Sequence, residues 1–166
     1  MPDPDSVREK VLSFIENNPG VHFREIQRQT GTAVGQLEYH LYTLEKEGII
    51  KGRKDGKFVR FFSLSGSALQ NNIFFYLRSN RGKEIMFQIL RGDIIEDTLY
   101  PKNERKRKEA LAILTELESA GIISRSSDSG KIVYSLRQRE NIIGILLKFR
   151  ESFVDYAANN LINLFK

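Results

Sequence analysis

The chain of 166 residues predicts an α+β fold, mostly helical, in which two small helix-and-hairpin domains are followed by a C-terminal helix. Three observations carry that expectation. Residues 21–50 read as two helices at a sharp turn leading into a strand. The pattern LYTLEKEGII at 41–50 returns as LTELESAGII at 114–123, with Leu, Leu, Glu, Gly, Ile and Ile in register. The last stretch, 140–166, carries an apolar stripe at helical spacing. The expected organisation is a first domain over 1–65, a connecting helix over 66–79, a second, divergent copy over 80–138, and the C-terminal helix over 139–166.

Asp5 or Ser6 is expected to cap a first helix whose inner side holds Val7, Val11, Leu12 and Ile15. Asn17, Asn18, Pro19 and Gly20 end it. The next helix spans Phe23 to Thr30, with His22 and Glu25 spaced as in a capping box. Gly31 and Thr32 break it, and a longer helix opens near Ala33. On that helix Val34, Leu37, Leu41 and Leu44 share one face by their three- and four-residue steps. The other face is read as carrying Gln36, Tyr39, His40 and Thr43. Tyr42 is read as packing sideways against the hairpin that follows. IIKGRK and FVRFFSL are strand-like and meet at an Asp-Gly turn, a strong hairpin signal. Arg53, Lys54, Lys57 and Arg60 make the hairpin basic.

The run HLYTLEKEGII, preceded by a short helix and Thr-Gly, resembles the winged helix-turn-helix transcription regulators, especially the ArsR- and MarR-like regulators common in archaea. The matching residues are His40, Leu41, Leu44, Glu45, Gly48, Ile49 and Ile50, and the basic hairpin is similar to that family's wing. The resemblance covers about residues 6–64. It implies a sequence-specific regulator of transcription that binds double-stranded DNA, with helix 33–47 in the major groove and the wing at 51–60 along the backbone or minor groove. The DNA-contact candidates are Arg24, Arg28, Thr32, Gln36, Tyr39, His40, Thr43, Arg53, Lys54, Lys57 and Arg60.

In the second half, helices are expected at 66–79, at 81–90 and from about Asn103 to Ala120. Asp93 and Glu96 are spaced to cap the short run IIEDTLY, which Pro101 stops. FFSL at 61–64 is matched to VYSL at 133–136, which makes the second hairpin one residue shorter. Counting back from Leu114, Glu109, Ala112 and Ile113 stand where the first copy has Gln36, Tyr39 and His40. An acidic or apolar face there has lost most features of a base reader, since carboxylates repel phosphate. Lys102, Arg105, Lys106, Arg107 and Lys108 form a dense basic cluster at a helix start, where cations oppose the helix dipole. They offer a second anionic contact or a solvated face. On the C-terminal helix Ile142, Leu146, Phe149, Phe153, Ala157 and Leu161 are the candidate homodimer interface.

The net charge of +5 and pI near 9.5 suit a polyanionic partner. Residues 1–66 hold 10 basic and 9 acidic groups, so the excess is local, at 51–60 and 102–108. There are no cysteines and only two histidines, which leaves no thiolate site and makes the metal sensing of some ArsR-like proteins unexpected. No cofactor is implied. Nothing marks a nucleophile, a phosphate loop or a tuned acid–base pair, so no enzymatic role is expected. The polar N-terminus MPDPDSVREK is unlike a signal peptide, no run suits a bilayer, and a cytoplasmic location follows. Two rival readings remain: a winged-helix scaffold in a nucleic-acid-handling assembly, and RNA binding, for which Tyr39 alone offers a stacking ring.

Overall fold

The computed structural model describes residues 3–153. They form two compact units that divide between Phe75 and Tyr76, inside a helix. In the first unit, α1 (Pro4–Asn17) begins two or three residues earlier than a cap at Asp5 or Ser6 would start it. Asp3, not Asp5 or Ser6, is its N-cap, and Pro4 occupies the first turn, where a missing N–H costs nothing. A short β1 (Val21–His22) precedes α2 (Phe23–Thr30). His22 caps α2 in fact: its Nδ1 accepts from the Glu25 N–H at 3.4 Å. Gly31 closes α2 in the left-handed conformation that glycine adopts without strain. Then come α3 (Val34–Lys46), β2 (Ile50–Asp55) and β3 (Phe58–Ser63).

The three strands make one antiparallel sheet in the order β1-β3-β2. Val7, Val11 and Ile15 of α1, Ile26 of α2, and Leu37, Leu41 and Leu44 of α3 pack with Val21, Ile50 and Phe61 into one core. Leu37 and Leu44 are fully buried. Truncating either to alanine removes about 2–5 kcal/mol, enough to threaten a unit of this size. A helix, two further helices joined by a turn, and a β-hairpin on a small sheet make a helix-turn-helix with a wing. Helix α4 (Ala68–Arg78) follows and carries the chain out of the first unit.

The second unit contains α5 (Lys83–Arg91), β4 (Ile94–Ile95), a 3-10 turn at Glu96–Thr98, α6 (Glu104–Ser119), β5 (Ile123–Asp128), β6 (Lys131–Leu136) and α7 (Arg139–Lys148). Its sheet runs β4-β6-β5, the same order as the first. Val21 pairs with Phe61 in one sheet, and Ile94 pairs with Tyr134 in the other, each position 73 further on. The hairpin ladders also agree at that offset: Asp55 faces Phe58, and Asp128 faces Lys131. The second hairpin is therefore not one residue shorter, and Phe61 corresponds to Tyr134 rather than to Val133. In the IIEDTLY run, β4 is followed by only a single 3-10 turn at Glu96–Thr98 where the first unit has the eight residues of α2. Of the expected C-terminal helix, α7 covers the first part, and residues 154–166 lie outside the described residues. Helix α7 stops at Lys148, where the Phe149 N–H reaches back to the carbonyls of Ile145 and Leu147, and a 3-10 turn follows at Arg150–Phe153.

Candidate nucleic-acid interface

Helix α3 has two unlike sides. Leu37, His40, Leu41 and Leu44 are buried, and Gly35, Tyr39, Tyr42 and Lys46 lie opposite them and are exposed. Gln36 and Glu38 flank the outward side, also exposed, and Thr43 is half-buried. The outward tyrosines are about two-thirds exposed, at 64% and 65%. Three expectations change here. Val34, read as part of the apolar stripe, is 48% exposed because it is the first helical residue and precedes the packed turns. His40, read as outward, is buried, since it lies three residues from Leu37 and four from Leu44. Its backbone carbonyl accepts from the Thr43 hydroxyl at 3.1 Å. Tyr42 does not pack against the wing; it stands in solvent with the Lys46 Nζ 5.9 Å from its ring centre.

Strand alternation sorts the wing residues. Ile50, Lys54, Val59 and Phe61 share one face, and Lys51, Arg53, Asp55, Phe58, Arg60 and Phe62 share the other. Arg53 and Arg60 stand directly opposite, a like-charge pair that destabilises a hairpin unless each cation finds a partner. Arg60 turns inward. Its Nε donates to Asp55 Oδ2 at 2.7 Å and its guanidinium to the Gly20 carbonyl at 3.1 Å. Arg53 lies over the Phe75 ring at 3.7 Å and donates to Asn72 at 2.9 Å. These two arginines, expected to face DNA, are thus held by the protein itself. Lys51, Lys54 and Lys57 are exposed, and Lys51 joins the set although the sequence reading passed over it. Its signal was available, since it alternates with buried Ile50.

Arg24 and Arg28 of α2 are exposed. Arg24 and Lys57 line a groove of about 560 Å³ with His22, Phe23, Phe58, Val59 and Phe61, between the start of α2 and the wing tip. His22 stacks on Phe58 within it, with ring centres 5.3 Å apart. Thr32 is buried, and its hydroxyl is 2.8 Å from that of Thr30, which donates to the Ile26 carbonyl. It braces the turn between α2 and α3 rather than facing outward. The Glu45 carboxylate accepts from the Gly52 N–H at 2.9 Å, which ties the end of α3 to the base of the wing.

The basic cluster in the second unit is also divided. Lys102, Arg105, Lys106 and Lys108 are exposed, with Arg105 beside Glu109 at 3.3 Å. Arg107 folds inward and donates to the carbonyls of Glu96 and Leu99 at 2.9 and 3.0 Å. Tyr134 donates to Glu96 at 2.8 Å, and burial, then that hydrogen bond and the carboxylate's charge, push its phenol above the ordinary range. Of the candidate dimer contacts, Ile142, Leu146 and Phe149 are buried within the chain, so they are not available to a partner. The side chain of Phe153 and the whole of Ala157 and Leu161 lie outside the described residues. Among the described residues no helix is long and apolar enough to cross a membrane.

A helix-turn-helix whose second helix turns a polar, aromatic face outward beside a lysine-bearing hairpin is the form of a DNA-binding module. Residues 5–72 match the family described as HTH_HVO_0163_N, N-terminal HTH domain. The chain is also 25% identical over 142 residues to an uncharacterised HTH-type transcriptional regulator of Methanocaldococcus jannaschii, an alignment that covers 81% of this chain and 34% of that protein. The chain thus spans about a third of the length of that relative.

Proposed function

We propose that the first unit is a sequence-reading, double-stranded DNA-binding module of a transcriptional regulator. The single observation that carries this reading is the outward side of α3, where Gly35, Gln36, Tyr39 and Tyr42 lie exposed beside the wing lysines while the opposite side holds the core. In this reading α3 enters the major groove. Arg24, Arg28, Lys51, Lys54 and Lys57 meet phosphates, and Gln36 and Tyr39 meet base edges. The ArsR- or MarR-like type, the absence of catalysis and a cytoplasmic location belong to the same proposal.

We also propose that the two units descend from one repeated winged-helix unit, which the common strand order and the constant 73-residue offset of their ladders support. The second copy does not read bases; it serves an interaction with another macromolecule. The replacement of α2 by a 3-10 turn favours this, because a helix-turn-helix needs its first helix to cross the DNA backbone. A homodimer completes the proposal, since one reading helix specifies few base pairs and two-fold symmetry doubles the site.

Selection of bound duplexes from a random DNA pool, repeated at two salt concentrations, tests the reading. The expected result is an enriched motif bound by the full chain, with affinity falling on a log–log salt slope of about −0.9 per phosphate neutralised. Absence of binding to every duplex at low salt refutes it.

A further inference from the structure

We infer that Val34 and Gly35 together form a thymine-reading contact: Val34 covers the 5-methyl group of a thymine in the major groove, and Gly35 lets the helix backbone close in on the same base step. The inference rests on the DNA-reading role of α3 proposed above.

Two residues at the start of α3 are not required by the fold itself. Val34 is 48% exposed, whereas Leu37, Leu41 and Leu44 on the same helix are at most 5% exposed. A β-branched side chain in solvent adds nothing to helix stability. Gly35 follows on the side opposite the core. A Cβ built there meets nothing within 4 Å, and its φ is not positive. Neither packing nor backbone conformation calls for glycine, although a glycine inside a helix weakens it relative to alanine. A glycine that the fold leaves open is explained by something outside the chain that comes close to the backbone.

The chemistry of the patch narrows what that something is. Residues 31–36 are Gly, Thr, Ala, Val, Gly and Gln, without a formal charge. The exposed cations of the helix pair and wing sit elsewhere: Arg24 and Arg28 on α2, Lys46 at the far end of α3, and Lys51, Lys54 and Lys57 on the wing. The uncapped N–H groups at the start of α3 suit a phosphate, but the apolar Val34 side chain does not, and its partner is a base edge. In the major groove only thymine presents an apolar group, its 5-methyl. An exposed valine beside a base-reading amide has one apolar partner there, and the adjoining Gln36 suits an adenine through N6 and N7.

The test uses the full chain and a duplex selected from the random pool. Each thymidine of the bound site is replaced in turn by deoxyuridine, which pairs identically and lacks only the methyl group. At one position of each half-site the unmodified protein is expected to bind about fourfold more weakly, the value of one buried methyl. Val34→Ala should bind the thymidine and deoxyuridine duplexes alike. Gly35→Ala should melt at the same or a higher temperature and bind every duplex at least tenfold more weakly. Equal binding of thymidine and deoxyuridine duplexes at all positions, or a thymidine preference surviving in Val34→Ala, overturns the methyl contact. Gly35→Ala binding as tightly as the unmodified chain overturns the close approach. Either leaves DNA reading by α3 intact, whereas failure to bind any selected duplex removes that reading itself.

Discussion

Arg60→Leu separates a structural arginine from a DNA-contacting one. In the sequence Arg60 is one more cation of a basic hairpin. In the structure its side chain is 8% exposed and that of Asp55 is 12% exposed, with the two groups 2.7 Å apart. The Gly20 carbonyl takes a second guanidinium N–H at 3.1 Å. Removing the cation takes the 2.7 Å guanidinium partner from a nearly buried carboxylate and leaves a carbonyl short of a donor. Losing one member of such a pair costs about 3–5 kcal/mol, most of it the stranded charge. For a unit of this size each kcal/mol moves the melting temperature by about 4–8 °C. The first unit should therefore melt at least ~12 °C lower. Asp55→Asn in the same chain should recover a large part, because the stranded charge is then gone. Hydrogen exchange at the β3 amides across a urea series reads this unit apart from the second, which a single melting curve does not. At a temperature where the variant is folded, the salt slope of DNA binding should be unchanged. Unaltered protection of β3 together with a salt slope reduced by one unit would refute the reasoning, since Arg60 would then be a phosphate contact.

Lys54→Ala and Lys57→Ala should do the opposite: stability within about ±0.5 kcal/mol, and a salt slope flatter by about one unit for each phosphate no longer neutralised, on all sequences alike. Gln36→Ala and Tyr39→Ala should relax base preference by roughly 1–3 kcal/mol at one position each, measured by competition among single-base variants of the site. If the lysine variants change preference and the helix variants do not, α3 is not the reading element. Tyr134→Phe bears on alkaline stability. The folded pKa of Tyr134 is raised above the ordinary 10.0 by burial and then by Glu96. Its contribution is therefore complete below pH ~10 and is lost as pH rises through the folded pKa, where the unfolded chain binds fewer protons. The phenylalanine variant should show a shallower loss of second-unit stability above pH ~10 in a urea titration, and an unchanged slope would remove Tyr134 as the cause.

The helices of the first unit were legible because their signals are local. His22 and Glu25 at capping distance, the Thr-Gly break and the Asp-Gly hairpin each need only a few neighbours. The side-chain faces were less legible. Val34 fits the three-residue step to Leu37, yet periodicity does not say that the first residue of a helix lies beyond the packed turns. His40 lies squarely on the Leu37–Leu44 face by the same spacing, and its polarity concealed it. The inward turn of Arg60 follows from register: Asp55 facing Phe58 puts Arg60 diagonally across from Asp55 on one face of the hairpin. Counting charge along the wing, without carrying alternation through the turn, misses that pair. The partner of Arg53 lies on α4, 19 residues on, and no local pattern announces it.

The constant 73-residue offset makes the two units comparable position by position, and under the repeat proposed above one position shows how a shared frame changes its use. Arg107 stands 73 residues after Val34, where the first unit turns a valine outward. In the second unit a 3-10 turn at Glu96–Thr98 stands where the first unit has α2, and Pro101 prevents its continuing as a helix. Such a turn leaves backbone carbonyls without helical donors. Helix α6 begins at Glu104, a turn earlier than its counterpart, and Arg107 reaches back to satisfy the carbonyls of Glu96 and Leu99 together. Arg107, one of the five cations that offered an anionic contact, therefore holds the turn that stands where the first unit has α2. Arg107→Ala should lower second-unit stability by about 1–3 kcal/mol, the value of hydrogen bonds from a charged donor discounted for its partial exposure. DNA affinity and salt slope should not change. Hydrogen exchange at the β6 amides follows the first quantity and a gel-shift titration the second. A variant with unaltered β6 protection and a flattened salt slope would show that Arg107 faces an anion after all, and that the second unit binds nucleic acid through the start of α6.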